Sequence, residues 1–146
     1  MKIAIGSDHR GFALKHFLQT DFPDKTISFV DVGCNSNERC DYPDFTKLVV
    51  KKIQEGQADL GVLLCATGVG MSIAANRFEG IYAGLAWNEK VAKLNKEHDN
   101  VNILVLPADF ISEQQAIAMI TVWLKSKFAR GRYLKRIEKI NAFGGL

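Results

Sequence analysis

The chain has 146 residues, 47% of them apolar and 24% charged, with a formal net charge of +3; this fits one globular domain spanning residues 1–146 with a core that needs no disulfide staple. The positive excess is too small to imply nucleic acid, and no apolar run approaches the length of a transmembrane helix. The three cysteines, Cys34, Cys40 and Cys65, are odd in number and form no Cys-x-x-Cys pair, which argues against a zinc site or redox dithiol and fits reduced thiols in a cytosol.

In chain order, Met1–Gly6 has neither the apolar core nor the cleavage site of a signal peptide and reads as a strand that begins at once. Further strand-like runs are Thr26–Val32, Leu60–Cys65, Tyr82–Ala86 and Val101–Leu106, several of them apolar almost without a break, as strands buried on both faces are. Helical spacing joins Phe12, Leu14, Phe17 and Leu18 up to Pro23. A second helix starts near Pro43, with Asp41 as the expected cap and Leu48, Val49 and Ile53 on its apolar face. Helices are predicted over Met71–Asn76, Asn88–Lys96, Ser112–Ser126 and Gly131–Ile140, and Ser112 with Gln115 makes a capping box.

Regular βα alternation predicts an α/β fold: a three-layer, doubly wound, Rossmann-like sheet of five parallel strands with a C-terminal helix. The expected strand order is 2-1-3-4-5, which puts a switch point between the first and third strands. Ligands of such sheets bind outside the carboxyl ends of the strands at that point. Both segments there are polar and reactive: Gly6-Ser7-Asp8-His9-Arg10-Gly11 after the first strand and Cys65-Ala66-Thr67-Gly68-Val69-Gly70 after the third.

In the second of these, a thiol ends a buried strand and a Gly-rich turn opens a helix. Main-chain N–H groups converging there suit a phosphate or an oxyanion formed during reaction, and the same field is expected to lower the thiol pKa. The turn is neither a Walker loop nor a dinucleotide fingerprint. Read alone, Cys65 is equally a buried cysteine beside a tight turn. Asp8 and His9 face it across the switch point, where they could grip hydroxyls or a phosphate; the plainer reading is an N-cap with an exposed neighbour.

His98 stands at the entrance of the fifth strand, the wrong end for the crevice of its own subunit. Reaching a cleft from there takes a long loop or a partner subunit. Arg132 and Arg136 share one helical face and could hold a phosphate together, or form an ordinary solvated basic face. His16, inside the first helix, is given no role.

Together, Gly6–Gly11, Asp41-Tyr42-Pro43, Cys65–Gly70 with Ala74-Ala75-Asn76, His98, and Gly131-Arg132 with Arg136 resemble ribose-5-phosphate isomerase of type B. Its superfamily includes the galactose-6-phosphate isomerase subunits. The resemblance implies an aldose–ketose isomerase interconverting ribose 5-phosphate and ribulose 5-phosphate. In it His98, helped by Thr67, opens the sugar ring. Cys65 then moves a proton from C2 to C1 through a cis-enediolate held by the main chain of Ala66, Gly68, Val69 and Gly70. Asp8, His9 and Asp99 match substrate-holding positions, and Arg132 and Arg136 match phosphate-binding ones. Dimers or tetramers with clefts shared between subunits are implied, without metal or organic cofactor.

Where some relatives carry a glutamate base, this chain has Met71. Ala66 replaces a usual glycine, Asp99-Asn100 inverts the usual order of those residues, Tyr133 stands where histidine is common, and Leu106-Pro107-Ala108-Asp109 replaces a Gly-x-Arg pattern whose arginine binds phosphate. Alternatives are a six-carbon substrate such as allose 6-phosphate or galactose 6-phosphate, and a non-catalytic sugar-phosphate-binding module. A redox-sensing protein is disfavoured because no resolving cysteine is evident.

Overall fold

A computed structural model describes residues 1–144. Among these, strands β1 (Lys2–Ser7), β2 (Ser28–Asp31), β3 (Leu60–Cys65), β4 (Ala83–Leu85) and β5 (Ile103–Pro107) alternate with helices α1 (Phe12–Asp21), α2 (Tyr42–Gln54), α3 (Val69–Ala75), α4 (Glu89–Asp99) and α5 (Glu113–Lys125). Helix α6 (Arg132–Asn141) follows. Local chemistry accounts for the helix starts. Ser112 Oγ accepts from Gln115 N at 3.1 Å while Gln115 Oε1 accepts from Ser112 N at 2.8 Å, the reciprocal cap that the sequence predicts. Asp41 does precede α2, but its side chain makes no capping bond; Pro43 in the first turn sets the entry instead.

All strand pairs are parallel, in the order β2-β1-β3-β5-β4. The expected order 2-1-3-4-5 is therefore corrected at its last two places. All five residues of β5 are buried, as an interior strand requires, whereas the three residues of β4 are only half-buried, as an edge allows. The steps β2→β3 and β3→β4 each skip one position under helices on one face. The steps β1→β2 and β4→β5 return by one position under helices on the other face. All four crossovers thus share one hand.

Helices α1, α4 and α5 cover the first face over Ile3, Ile5, Val62, Leu64, Leu104 and Leu106. Trp123 fills that layer with its indole N–H donating to Val101 O at 3.2 Å. Helices α2 and α3 cover the second face over Ala4, Leu63, Ile103 and Val105. Since α1 leaves β1 on one face and α3 leaves β3 on the other, the crevice between these neighbouring strands stays open at their carboxyl ends.

Candidate active site

Main-chain hydrogen bonds draw three loops together at those carboxyl ends. Asp8 N donates to Leu64 O at 3.2 Å, Ala108 N to Cys65 O at 2.8 Å and Asp109 N to Ala66 O at 3.1 Å, so the segments after β1, β3 and β5 form one platform. Gly11 lets α1 start against it: a Cβ there would lie 2.5 Å from Leu64 O.

Cys65 ends β3 with 5% of its surface exposed, and its Sγ accepts a hydrogen bond from Gly68 N at 3.2 Å. The turn that provides this amide needs Gly68, whose φ of +77° lies in the left-handed region. Ala66 is not among the residues with positive φ, so the alanine in place of glycine is tolerated. Burial pushes the Cys65 thiol up from its ordinary value; amides of Gly68, Met71 and Thr67 pull it down, and the Asp8 charge adds to the rise. The expected lowering is thus corrected: main-chain N–H groups do converge on the sulfur, but desolvation outweighs them. Val69 N donates to Thr67 Oγ1 at 3.3 Å, so two amides of the turn are engaged by its own side chains.

Asp8 is buried, and its Oδ1 accepts from Arg10 N at 2.8 Å and Gly11 N at 3.1 Å, closing the turn into α1. His9 Nδ1 accepts from Cys40 N at 3.3 Å; the neutral ring then carries its hydrogen on Nε2, as a donor. Cys34, also buried, has its Sγ 3.7 Å from Ser7 Oγ. Asp109, the residue in place of a phosphate-binding arginine, ties its Oδ2 to Arg10 Nη2 at 2.7 Å and Nε at 3.2 Å. That contact neutralises a carboxylate which sequence reading left without a partner. Its signal was out of reach: the two residues are separated by 99 positions.

The structure does not bring His98, Asp99, Arg132 or Arg136 to this platform. His98 and Asp99 lie in the last turn of α4, which leads from the carboxyl end of β4 to the amino end of β5, so they sit at the opposite end of the sheet from Cys65. A second cluster forms there. Tyr133 stacks on His98, with ring centroids 4.1 Å apart and planes within 10°, and the Arg132 and Arg136 guanidinium carbons lie 5.1 and 5.6 Å from the Tyr133 centroid. Arg132 Nη2 also donates to Tyr133 Oη at 3.0 Å. Tyr133 was not among the residues singled out for the site, yet it joins three that were. Asn100 caps α4 with a φ of 48°, a conformation asparagine tolerates, which accounts locally for the inverted Asp99-Asn100 order.

A cleft of about 420 Å³ lies between α1 and α5, lined by Ala13, Leu14, Ala108 and Ser112 among others, and does not reach Cys65. Arg10 forms one wall of it. The chemistry points instead to the crevice over β1 and β3, where the Asp8 charge acts on the Cys65 thiol and His9 follows Asp8 on the same loop.

A doubly wound parallel sheet with a thiol and a Gly-rich turn at its switch point defines an α/β protein built to bind a small molecule at its strand ends. The chain belongs to the Ribose/Galactose Isomerase family, whose profile matches residues 3–140. It is 37% identical over 141 residues to ribose-5-phosphate isomerase B of Escherichia coli, covering 97% of this chain and 95% of that protein. Among solved structures, a ribose 5-phosphate isomerase of Thermotoga maritima superposes with a TM-score of 0.93 at 45% identity, over 97% of each chain. Ribose-5-phosphate isomerase B of Mycoplasma genitalium, solved with bound ribulose-5-phosphate, gives a TM-score of 0.91 at 40% identity, over 97% of this chain and 95% of that one.

Proposed function

We propose that this protein interconverts ribose 5-phosphate and ribulose 5-phosphate, with the Cys65 sulfur carrying the proton between C2 and C1. The observation that supports this most is the thiol at the switch-point end of β3, hydrogen-bonded by Gly68 N, in a chain whose relatives are ribose-5-phosphate isomerases over nearly their whole length. As thiolate, Cys65 removes the C2 proton of the open aldose, and the electron pair passes into a cis-enediolate. Return of that proton to C1, with transfer of the O2 hydroxyl proton to O1, gives the ketose with no atom gained or lost. Amides of the turn from Ala66 to Gly70 other than those of Gly68 and Val69, which the turn's own side chains engage, stabilise the enediolate oxygens, which exist as anions only along this path. Asp8 and His9 hold the sugar hydroxyls.

Ring opening is assigned to His98 with Thr67, phosphate binding to Arg132 and Arg136, and a share in holding the substrate to Asp99. Within one protomer His98 and the arginines lie at the far end of the sheet, so this assignment calls for a homodimer, alone or within a tetramer, whose clefts draw on both subunits. Val69 and Ile73, one turn apart on α3 and 50% and 64% exposed, offer an apolar face beside the turn for a second copy to cover. A cytoplasmic setting suits the three unpaired cysteines.

Burial of Cys65 favours one competing reading, a sugar-phosphate-binding module in which the sulfur only packs. A coupled assay with ribose 5-phosphate, run beside allose 6-phosphate, on the natural chain and on Cys65→Ala decides between them. The expected result is turnover of the pentose phosphate that falls by at least about 10³-fold in Cys65→Ala while the thermal transition is retained. Equal turnover in the two proteins removes Cys65 from the mechanism, and faster turnover of the hexose phosphate reassigns the substrate.

A further inference from the structure

A sugar phosphate carries close to two negative charges at its far end; in a shared cleft Arg132 and Arg136 meet them from one side, and a cation on the protomer that supplies Cys65 would meet them from the other. Lys15 is buried and committed to Asp31 at 2.6 Å, while Arg132 and Arg136 lie at the other end of the sheet. Arg10 is placed differently. Its main chain is fixed by Asp8, through Arg10 N to Oδ1 at 2.8 Å, and its side chain reaches across to the loop after β5. There a single oxygen, Asp109 Oδ2, takes both Nε at 3.2 Å and Nη2 at 2.7 Å.

Asp109 in turn is anchored by its own amide to Ala66 O at 3.1 Å, one residue beyond the thiol, and Ala108 N holds Cys65 O at 2.8 Å. The carboxylate that grips Arg10 and the sulfur are therefore set by the same turn. The contact occupies one edge of the guanidinium. Among the described residues, no acceptor takes either hydrogen of Nη1 or the second hydrogen of Nη2, and the side chain is 57% exposed. A planar fork with one edge clamped and the other open is pre-oriented for a tetrahedral oxyanion.

We propose that Arg10 is the residue with which the Cys65-bearing protomer holds the anionic end of the substrate, and that Asp109 is a positioning residue that fixes its guanidinium over the loop after β5, where the α1–α5 cleft meets the platform that carries Ala66. This rests on the isomerase reading for the identity of the anion, a phosphate monoester. It also gives Asp109 a purpose: a carboxylate at the platform tolerates a phosphate once its charge is spent on Arg10.

The test compares Arg10→Gln, Asp109→Asn, the exchanged pair Arg10→Asp with Asp109→Arg, and Arg39→Gln, an exposed arginine on the loop after β2. Steady-state kinetics with ribose 5-phosphate and calorimetric titration with inorganic phosphate are the readouts. Arg10→Gln is expected to raise KM about tenfold or more with a smaller fall in kcat, and to weaken phosphate binding in parallel. Asp109→Asn raises KM severalfold, the exchanged pair recovers most of the loss, and Arg39→Gln keeps natural values. A merely structural ion pair would shift the thermal transition without this split between KM and kcat. KM and phosphate affinity within about twofold of the natural chain in Arg10→Gln, or an equal loss in Arg39→Gln, overturn the proposal; Asp109→Asn with natural KM removes the positioning role. If the natural chain fails to turn over ribose 5-phosphate, the isomerase reading fails. The phosphate titration still decides Arg10: weaker binding in Arg10→Gln upholds it and equal binding overturns it.

Discussion

Two opposing effects meet on the Cys65 sulfur: burial raises its pKa, and amides of the turn, Gly68 first among them, lower it. Burial is the larger, so the thiol is held above its ordinary value of 9.0. Only a small part is thiolate near neutrality, and that part grows about tenfold for each pH unit below the raised value. Alkylation of Cys65 by iodoacetamide, followed residue by residue with mass spectrometry, should therefore keep accelerating beyond pH 9, and ribose 5-phosphate should slow it. A rate that levels off near pH 7 would contradict this balance. Stability follows the opposite course. A thiol raised in the folded state contributes stability that is complete below its ordinary, unfolded value and is lost as pH climbs through the folded one. Cys65→Ala should lack that alkaline loss, a difference read by denaturant titration at two pH values. Sequence pattern could place the sulfur at a strand end among amides but not rank the two effects, because burial depends on Met71, Ala75 and Val105 closing around it.

At the scale of the element, the turn between β3 and α3 is the part on which the site depends. Gly68 adopts a φ of +77°, and a Cβ there would run into Leu85 Cδ1 and lie 3.2 Å from Val105 Cγ1. The backbone conformation alone makes Gly68→Ala unfavourable by about 1–2 kcal/mol, since Leu85 is the end of a side chain that can yield. A fall of roughly 3–8 °C in the thermal transition is expected. The same change moves the amide that holds Cys65, so kcat should drop by more than about tenfold, out of proportion to the stability lost. At Gly70 the added carbon would meet the ring of Tyr42, which is exposed and able to swing away; Gly70→Ala should cost less stability, and calorimetry on the two variants checks the ranking. Elements were legible where their signals are local. The Ser112–Gln115 cap, Pro43 in the first turn of α2 and the apolar run Leu60–Cys65 lie where their residue types require. Strand order was not. Tyr82–Ala86 and Val101–Leu106 are both short and mostly apolar, and only the double-width crossover through α3 puts β4 outside β5.

At the scale of the molecule, the chain holds two chemical clusters at opposite ends of one sheet: Cys65, Asp8 and His9 at the carboxyl ends, and His98, Tyr133, Arg132 and Arg136 at the amino end. The sequence named members of both; the proposed assignment joins them only across two chains, and no spacing within one chain reports such a contact. A rigid sheet gives neither cluster a route to the other, so the dimer assignment carries a quantitative consequence. Mixing equal amounts of two inactive proteins, Cys65→Ala and His98→Asn, under conditions that let subunits exchange gives half of the dimers one copy of each. In a mixed dimer the lesions fall together in one cleft, and the other receives natural Cys65 from one chain and natural His98 from its partner. Half of the dimers with one working cleft of two amount to about a quarter of natural activity. Clefts complete within single protomers would leave every cleft with one lesion, and mixing would restore nothing. Recovery should therefore appear with the time course of subunit exchange, plateau near that quarter, and be lost when a chemical cross-link fixes the parent dimers before mixing.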